Sequence, residues 1–467
     1  MNKAGRANAR VVRAGCIALL YWFGAGGAPA LAAYDVGGGF ALSHDSNITA
    51  GSSVSPNCLN PPCADWTEQL FGGLGYEEHN AELNARLVTQ AQIRHFAHNT
   101  YQDDKGYFLD GAAVWMILPQ QFSWFFQDTF QEVMVNLQVP DTPANRARTN
   151  SLSTGPEFTF RVGPADSPVI GDRYGRFYIA NNPGSNERNT IYARWLHKIS
   201  ALSTLSLNFE ATRIHFDSTS TASYTDLSRQ DSFFRFDRLS RYSQNTFDFG
   251  NSRLQPYGGQ ELKGRLVRYL GQWWPTPESA LRITLVDQVS DAYSDMIRSV
   301  INPITLTSVQ ADAPALPVSV AGATAGDVYH SRRGELASLN RGVLFGYSLQ
   351  AWVRRVDYLN ATAAGLDYDE TAGKFSLSWF LSVEAQVYAL AQYAKRTFPN
   401  VSPAGEQDID RSASVGMIYK LGRSLTLSVD AGQTERQSNV QTPYVDRHIT
   451  LVLGYSTGPL FTPRPQR

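Results

Sequence analysis

The chain has 467 residues, with 41 basic and 42 acidic side chains and a formal net charge of −1, so it carries no electrostatic footprint for a nucleic acid. A mean hydropathy of −0.28 excludes a bundle of membrane-spanning helices. It does not exclude a transmembrane β-barrel, in which half of each strand faces water.

Length alone would allow about three soluble domains, but no shift of composition and no Pro/Gly/Ser-rich linker divides the chain. The first segment reads as an export signal. Lys3, Arg6, Arg10 and Arg13 precede an apolar run at 14–23, AGCIALLYWF, and the small residues GAGGAPALA follow, with Ala30 and Ala32 in an A-x-A arrangement. This pattern predicts a signal peptide over 1–32, cleaved after Ala32. The apolar run is too short for a spanning helix, and Cys16 inside it is not placed as a lipidation site. Residues 33–467 are then one barrel domain.

The mature chain keeps two cysteines, Cys58 and Cys63, in SPNCLNPPCADW. Two cysteines in an exported chain are expected to pair with each other and shape one small loop. The alternative, a metal site, lacks further Cys or a nearby His in that loop.

Residues 81–94, AELNARLVTQAQIR, carry the clearest architectural signal. Ala81, Leu83, Ala85, Leu87, Ala91 and Ile93 alternate with Glu82, Asn84, Arg86, Gln90, Gln92 and Arg94. Alternation at period two is a strand with two different surroundings. Fourteen residues of strand rise roughly 46 Å, more than twice the usual soluble length. The same alternation recurs at Leu205–Thr212, Leu281–Leu285, Lys374–Leu381, Leu425–Ala431 and His448–Tyr455.

Connections between these segments are of two kinds. Short ones fall at 79–80, 118–121, near Ser203, at 241–244, 274–279, near Glu384 and at 421–424. Long polar ones fall at 45–65, 99–106, 138–150, 181–189, 217–231, 290–328, 396–410 and 436–446. Short turns at one end and long loops at the other are the signature of an outer-membrane barrel. The chain is therefore read as all-β: an antiparallel transmembrane barrel of about 20 strands, with 18 and 22 also compatible, short periplasmic turns and long extracellular loops. Its apolar face meets outer-membrane lipid, and Trp66, Trp124, Phe125, Trp273 and Trp274 are expected in the interfacial girdles.

One stretch supports a narrower reading. Residues 127–163, QDTFQEVMVNLQVPDTPANRARTNSLSTGPEFTFRVG, contain a strand ending near Asp128 and Gln131, a proline-bearing loop with Asn145, then Asn150 leading to Gly155 and Pro156. This stretch resembles the outer-membrane barrels of exopolysaccharide biosynthesis operons, including those associated with the PEP-CTERM (exosortase) system. RYGRFYIANN (173–182), YARWLHKISALSTLSL (192–207), LRITLVDQVSDAYSD (281–295) and ALSHDSNITAG (41–51) extend the likeness over most of the mature chain. The resemblance implies export or assembly of an extracellular polysaccharide, with that polymer and envelope export machinery as partners. It supplies no catalytic residues.

Nothing in the residues argues for an enzyme or a cofactor. There is no G-x-S-x-G, and the mature histidines, among them His79, His95, His98, His197, His215, His330 and His448, show no metal-ligand spacing. The acidic stretches at 102–106, 367–370 and 406–410 match no EF-hand loop and read as solvated loops. What remains is passive chemistry: a polar lumen whose charges and width choose what passes. Glu82, Arg86, Gln90, Arg94, Glu210, Arg282, Lys374 and Asp430 are expected to line it. Its cations, Arg86, Arg94, Arg282 and Lys374, would attract acidic solutes or acidic polysaccharide, moderated by Glu82, Glu210 and Asp430. The segment 290–328 is a plug or lid, or else an external flap. The readings in competition are a polysaccharide-associated channel, a general or substrate-specific porin, and a plugged structural or adhesive barrel.

Overall fold

The chain is seen here in a computed structural model. It describes residues 33–50, 63–134, 136–180, 184–217, 226–291, 293–294, 328–359, 365–401 and 405–458. The predicted signal at 1–32 and Cys58 lie outside the described residues. Cys63 is disulfide-bonded.

Twenty strands follow one another along the chain. The first ten are β1 (Ala33–Asp45), β2 (Asp65–His79), β3 (Leu83–Phe96), β4 (Asp104–Leu118), β5 (Phe122–Met134), β6 (Arg146–Thr159), β7 (Asp166–Ile179), β8 (Asn186–Ser200), β9 (Ser203–Phe216) and β10 (Leu227–Leu239). The second ten are β11 (Ser243–Pro256), β12 (Leu262–Thr276), β13 (Ser279–Ser290), β14 (Tyr329–Arg341), β15 (Phe345–Tyr358), β16 (Tyr368–Phe380), β17 (Ala385–Phe398), β18 (Glu406–Lys420), β19 (Leu425–Ser438) and β20 (Tyr444–Ser456). Each pairs antiparallel with its neighbour in sequence. The sheet closes where β1 meets β20, from Gly37 opposite Ser456 to Asp45 opposite His448. Closure leaves no strand edge unpaired, as a bilayer core requires.

The predicted segregation of connections holds. At one end no turn exceeds six residues; at the other stand 46–64, 135–145, 217–226, 291–328 and 359–367. Residues 257–261 and 359–367 are additional loops at the long-loop end, and 160–165 and 342–344 additional turns at the other. None of these four shows a break in alternation long enough to mark it in the sequence.

Side-chain parity is that of a membrane barrel. On β3, Gln90, Gln92 and Arg94 are buried while Ala91, Ile93 and His95 are exposed. On β15, Tyr347, Leu349 and Val353 are exposed while Gln350 is buried. Apolar side chains thus face outward and polar ones inward, which is stable only where lipid covers the outside. Toward the short-turn end, Phe122 stacks on Phe158 at 4.5 Å and Phe345 on Trp379 at 5.9 Å, as expected of an interfacial girdle.

One positional expectation is corrected. Phe125 belongs to no girdle: its neighbour Trp124 is 41% exposed on the outside, but Phe125 itself is 7% exposed and faces inward. His98 lies beyond the end of β3, in the 97–103 loop, where Nδ1 sits 3.2 Å from Asp65.

Candidate transport path

The inner wall holds most of the residues read as lumen-lining, with one exception. Arg86, Gln90 and Arg94 share the inward face of β3. Glu210 stands on the same face of β9 as buried Ser206 and Asn208. Arg282 on β13, Lys374 on β16 and Asp430 on β19 also point inward by parity. Glu82 does not belong to the wall. β3 begins at Leu83, and Glu82 is exposed in the 80–82 turn, its backbone N–H donating to Asn80 Oδ1 at 2.8 Å. The strict alternation continues past the point where Asn80 turns the chain.

The expected attraction for acidic solutes is altered by pairing. Arg94 donates to Asp104 at 2.6 Å and to Glu132 at 3.1 Å. Arg282 donates to Glu335 at 2.9 Å, and Glu335 also accepts from Gln350 at 2.9 Å and from Arg333. Asp430 accepts from Tyr388 Oη at 3.0 Å and faces His448 Nε2 at 3.2 Å. Two of the four cations singled out are therefore neutralised at contact distance. Coulomb fields of such pairs fall off quickly beyond the pair itself.

The wall from β6 to β12 is built from arginines laid over aromatic rings. The Arg173 guanidinium lies 4.9 Å from the Phe125 ring centre and 4.7 Å from that of Tyr192. Arg194 lies 4.5 Å from the same Tyr192 ring, and Tyr192 Oη donates to Glu157 at 2.7 Å. A side chain at Gly171 would put its Cβ 2.3 Å from Tyr192 Cζ, so the absence of one lets the ring lie flat on the wall. Further round, Arg235 and Arg268 flank Asp248 at 2.7 and 3.1 Å, and both lie over Phe233. Among the described residues Arg173 has no carboxylate at ion-pair distance. Its charge is met by ring faces instead.

Two segments from the long-loop end enter the lumen. The first is the β5–β6 connection. Asn145 Nδ2 donates to the carbonyls of Asn136, Val139 and Pro140 at 2.7, 3.0 and 3.0 Å, and Asn145 Oδ1 accepts from Asn136 N at 3.0 Å. That side chain ties the loop into a compact unit, helped by Gln138 N donating to Asn136 Oδ1 at 2.9 Å. Its Leu137 packs among Tyr329, Val356, Tyr358, Tyr368 and Phe398, on β14 to β17. Arg436 on β19 donates to the Leu137 and Gln138 carbonyls at 3.2 and 2.8 Å. The loop therefore leaves one wall and is anchored on the opposite one.

The second segment follows β13. Asp291 lies 2.8 Å from Arg188 on β8 and 3.8 Å from Arg229 on β10, and accepts from Ser294 N and Oγ at 3.0 and 2.8 Å. Tyr293 meets Phe177 edge-on at 6.2 Å, lies under the Arg188 guanidinium at 4.3 Å and donates to Leu152 O at 3.3 Å. Gly175 makes the room, since a Cβ there would stand 2.3 Å from Tyr293 Oη. Burial pushes the Asp291 carboxyl up, but Arg188 and Arg229 outweigh it and hold it well below the usual carboxylate range. Burial pushes the Tyr293 phenol up. Of the 290–328 segment read as a plug or flap, residues 291, 293 and 294 are thus seated against β6, β7, β8 and β10; 295–327 lie outside the described residues.

At the β1–β20 seam, Asp45, Asp446 and His448 bring ligand atoms within 4.8 Å of one another. Asp446 is engaged by Asn47 N at 2.7 Å and Ser46 Oγ at 3.2 Å. Asp45 stands some 400 positions from the other two, and no local spacing could have grouped it with them. Arg173, Tyr192 and Arg194 were legible in principle, as Arg and Tyr at period two within stretches already quoted. Leu137, Arg436 and Asp291 were not.

No family model and no curated protein matches this chain. Solved structures similar to it include the siderophore receptor PirA of Pseudomonas aeruginosa, 10% identical over 90% of this chain and 80% of that one, at a TM-score of 0.40. The FrpB iron transporter of Neisseria meningitidis (F3-3 variant) is 8% identical over 91% and 81%, at 0.41. OccK2 (OpdF) of Pseudomonas aeruginosa in complex with glucuronate is 9% identical over 91% and 98%, at 0.37.

Proposed function

We propose that this chain is a passive channel of the Gram-negative outer membrane whose cargo is carbohydrate, serving export or assembly of the extracellular polysaccharide that the 127–163 resemblance implies. The observation that supports it is the inner wall. Its charges are largely paired in place, and its guanidinium and aromatic surfaces are laid flat, as Arg173, Tyr192 and Arg194 are. Such a wall offers hydrogen bonds and stacking faces to a hydroxyl-rich solute without holding it by a strong net field. Envelope export machinery would meet the short-turn end, the periplasmic side of such a barrel.

The test is single-channel conductance of the purified protein in a planar bilayer, with neutral and acidic polysaccharide added to each side in turn. Large stable openings that polymer blocks from one side are expected. Openings indifferent to polymer from either side would refute the polysaccharide reading. A second reading, a porin for small solutes, is favoured by the two segments that cross the lumen from the long-loop end. It predicts block by monosaccharides and disaccharides at concentrations where polymer does nothing.

A further inference from the structure

The outer surface of the barrel distributes its cations unevenly. Arg213 on β9, Arg253 on β11, Arg265 on β12, Arg332 on β14, Arg355 on β15 and Lys395 on β17 each sit three residues inside the long-loop end of their strand. All six are exposed. Nearer the middle of the same faces stand the exposed apolar side chains Phe209, Phe249, Leu336, Val353 and Tyr393. At the short-turn end, the outward face of the described strands carries one cation, Arg238. Arg213, Arg265, Arg332 and Lys395 have no carboxylate at ion-pair distance among the described residues.

The apolar band fixes the depth of this row. With Phe209, Phe249 and their neighbours in hydrocarbon, the cations three residues from the strand ends stand at the headgroup level of one leaflet only. A row set at one depth and missing from the other leaflet fits a partner whose anionic groups share that depth and that asymmetry. One position is also shaped: an outward groove of about 610 Å³ is lined by Tyr174, Arg213, His215, Asp226 and Tyr257. Arginine is suited to phosphate there because its planar fork binds two oxygens at once.

We infer that this row seats the phosphate groups of an outer-leaflet glycolipid, with the Arg213 groove as its best-formed position. The inference rests on the outer-membrane placement proposed above and is independent of the cargo. The full chain would be reconstituted in phosphatidylcholine vesicles containing a diphosphorylated disaccharide lipid of the lipid A type, or its dephosphorylated form. Lipid retained per barrel after detergent extraction is the readout. Barrel folding is checked by heat-modifiable gel mobility.

The wild-type chain is expected to retain the phosphorylated lipid at least about a hundredfold over the dephosphorylated one, each surface cation contributing roughly fivefold. The triple variant Arg213→Gln, Arg253→Gln, Arg265→Gln is expected to lose about a hundredfold, and Arg238→Gln nothing. If the triple variant fails to fold, Arg213→Lys keeps the charge, removes the fork and is expected to lose severalfold. Equal retention of both lipids by the wild type, or equal retention by wild type and variants, would overturn the inference. So would full displacement of the lipid by millimolar inorganic phosphate, which would assign the row to free phosphate. A barrel that conducts nothing yet retains the lipid would sink the channel and leave this surface standing.

Discussion

Replacing Asp291 by Asn should release the segment that follows β13 from the lumen wall. Asp291 is 2% exposed and sits between Arg188 and Arg229, at 2.8 and 3.8 Å. Removing the carboxylate leaves two buried guanidiniums short of their shared counter-charge. Breaking a buried pair in this way costs about 3–5 kcal/mol. At roughly 1.4 kcal/mol per tenfold, the unseated population rises by about two to three and a half orders of magnitude. Asp291 lies beyond the last residue of β13, outside the strand ladder, so the barrel itself should be unaffected. Two measurements read this out. Amide exchange at Ser294, whose N–H bonds to Asp291 at 3.0 Å, should accelerate, and single-channel records should gain larger or more frequent openings. Unchanged exchange and unchanged openings in a folded variant would refute the claim that this ion pair holds the segment. The pH dependence follows with its sign. A carboxyl held below its unfolded value of about 3.9 stabilises the seated state at all higher pH and ceases to as pH falls through the depressed value. Openings should therefore be constant from pH 7 down to about pH 4 and increase only below.

Other perturbations separate the remaining contacts. Gly175→Leu leaves the charges alone but places side-chain atoms where Tyr293 Oη now lies, 2.3 Å from the Cβ position; it should reproduce the Asp291→Asn exchange and conductance changes. Leu137→Ala removes the apolar anchor of the β5–β6 loop from its cluster with Tyr329 and Phe398 and should weaken that anchorage by about 2–5 kcal/mol, read as faster proteolysis within 136–145 in intact barrels. Glu335→Gln leaves Arg282 and Arg333 without the carboxylate they share; the reversal potential across a KCl gradient should move toward anion selectivity, and an unmoved potential would place this cluster off the conduction path. Gly171→Leu displaces the Tyr192 ring from its seat and should lower the unfolding midpoint by the equivalent of about 1–3 kcal/mol, with loss of wall contacts for Arg173.

Alternation within one strand decides which side chains face in and which face out, because the pleat has period two wherever the strand lies. That is why the faces of residues 83–94 follow from their alternation alone, and why about 20 strands with turns on one end and loops on the other are legible in the sequence. The exceptions are instructive. Glu82 keeps the alternation but lies in the turn closed by Asn80, and Phe125 is as aromatic as the girdle residues yet faces the lumen beneath Arg173. Parity says nothing about which inward group meets which. Arg94 finds Asp104 on the next strand, but Asp291 finds Arg188 across the lumen, Leu137 finds Phe398 on the opposite wall, and Asp45 finds His448 only because the first and last strands close the sheet. Local pattern fixed the faces of this barrel. Closure into a ring, which brings residues hundreds of positions apart to within hydrogen-bonding distance, decided which of the inward charges are paired and which segments cross the path.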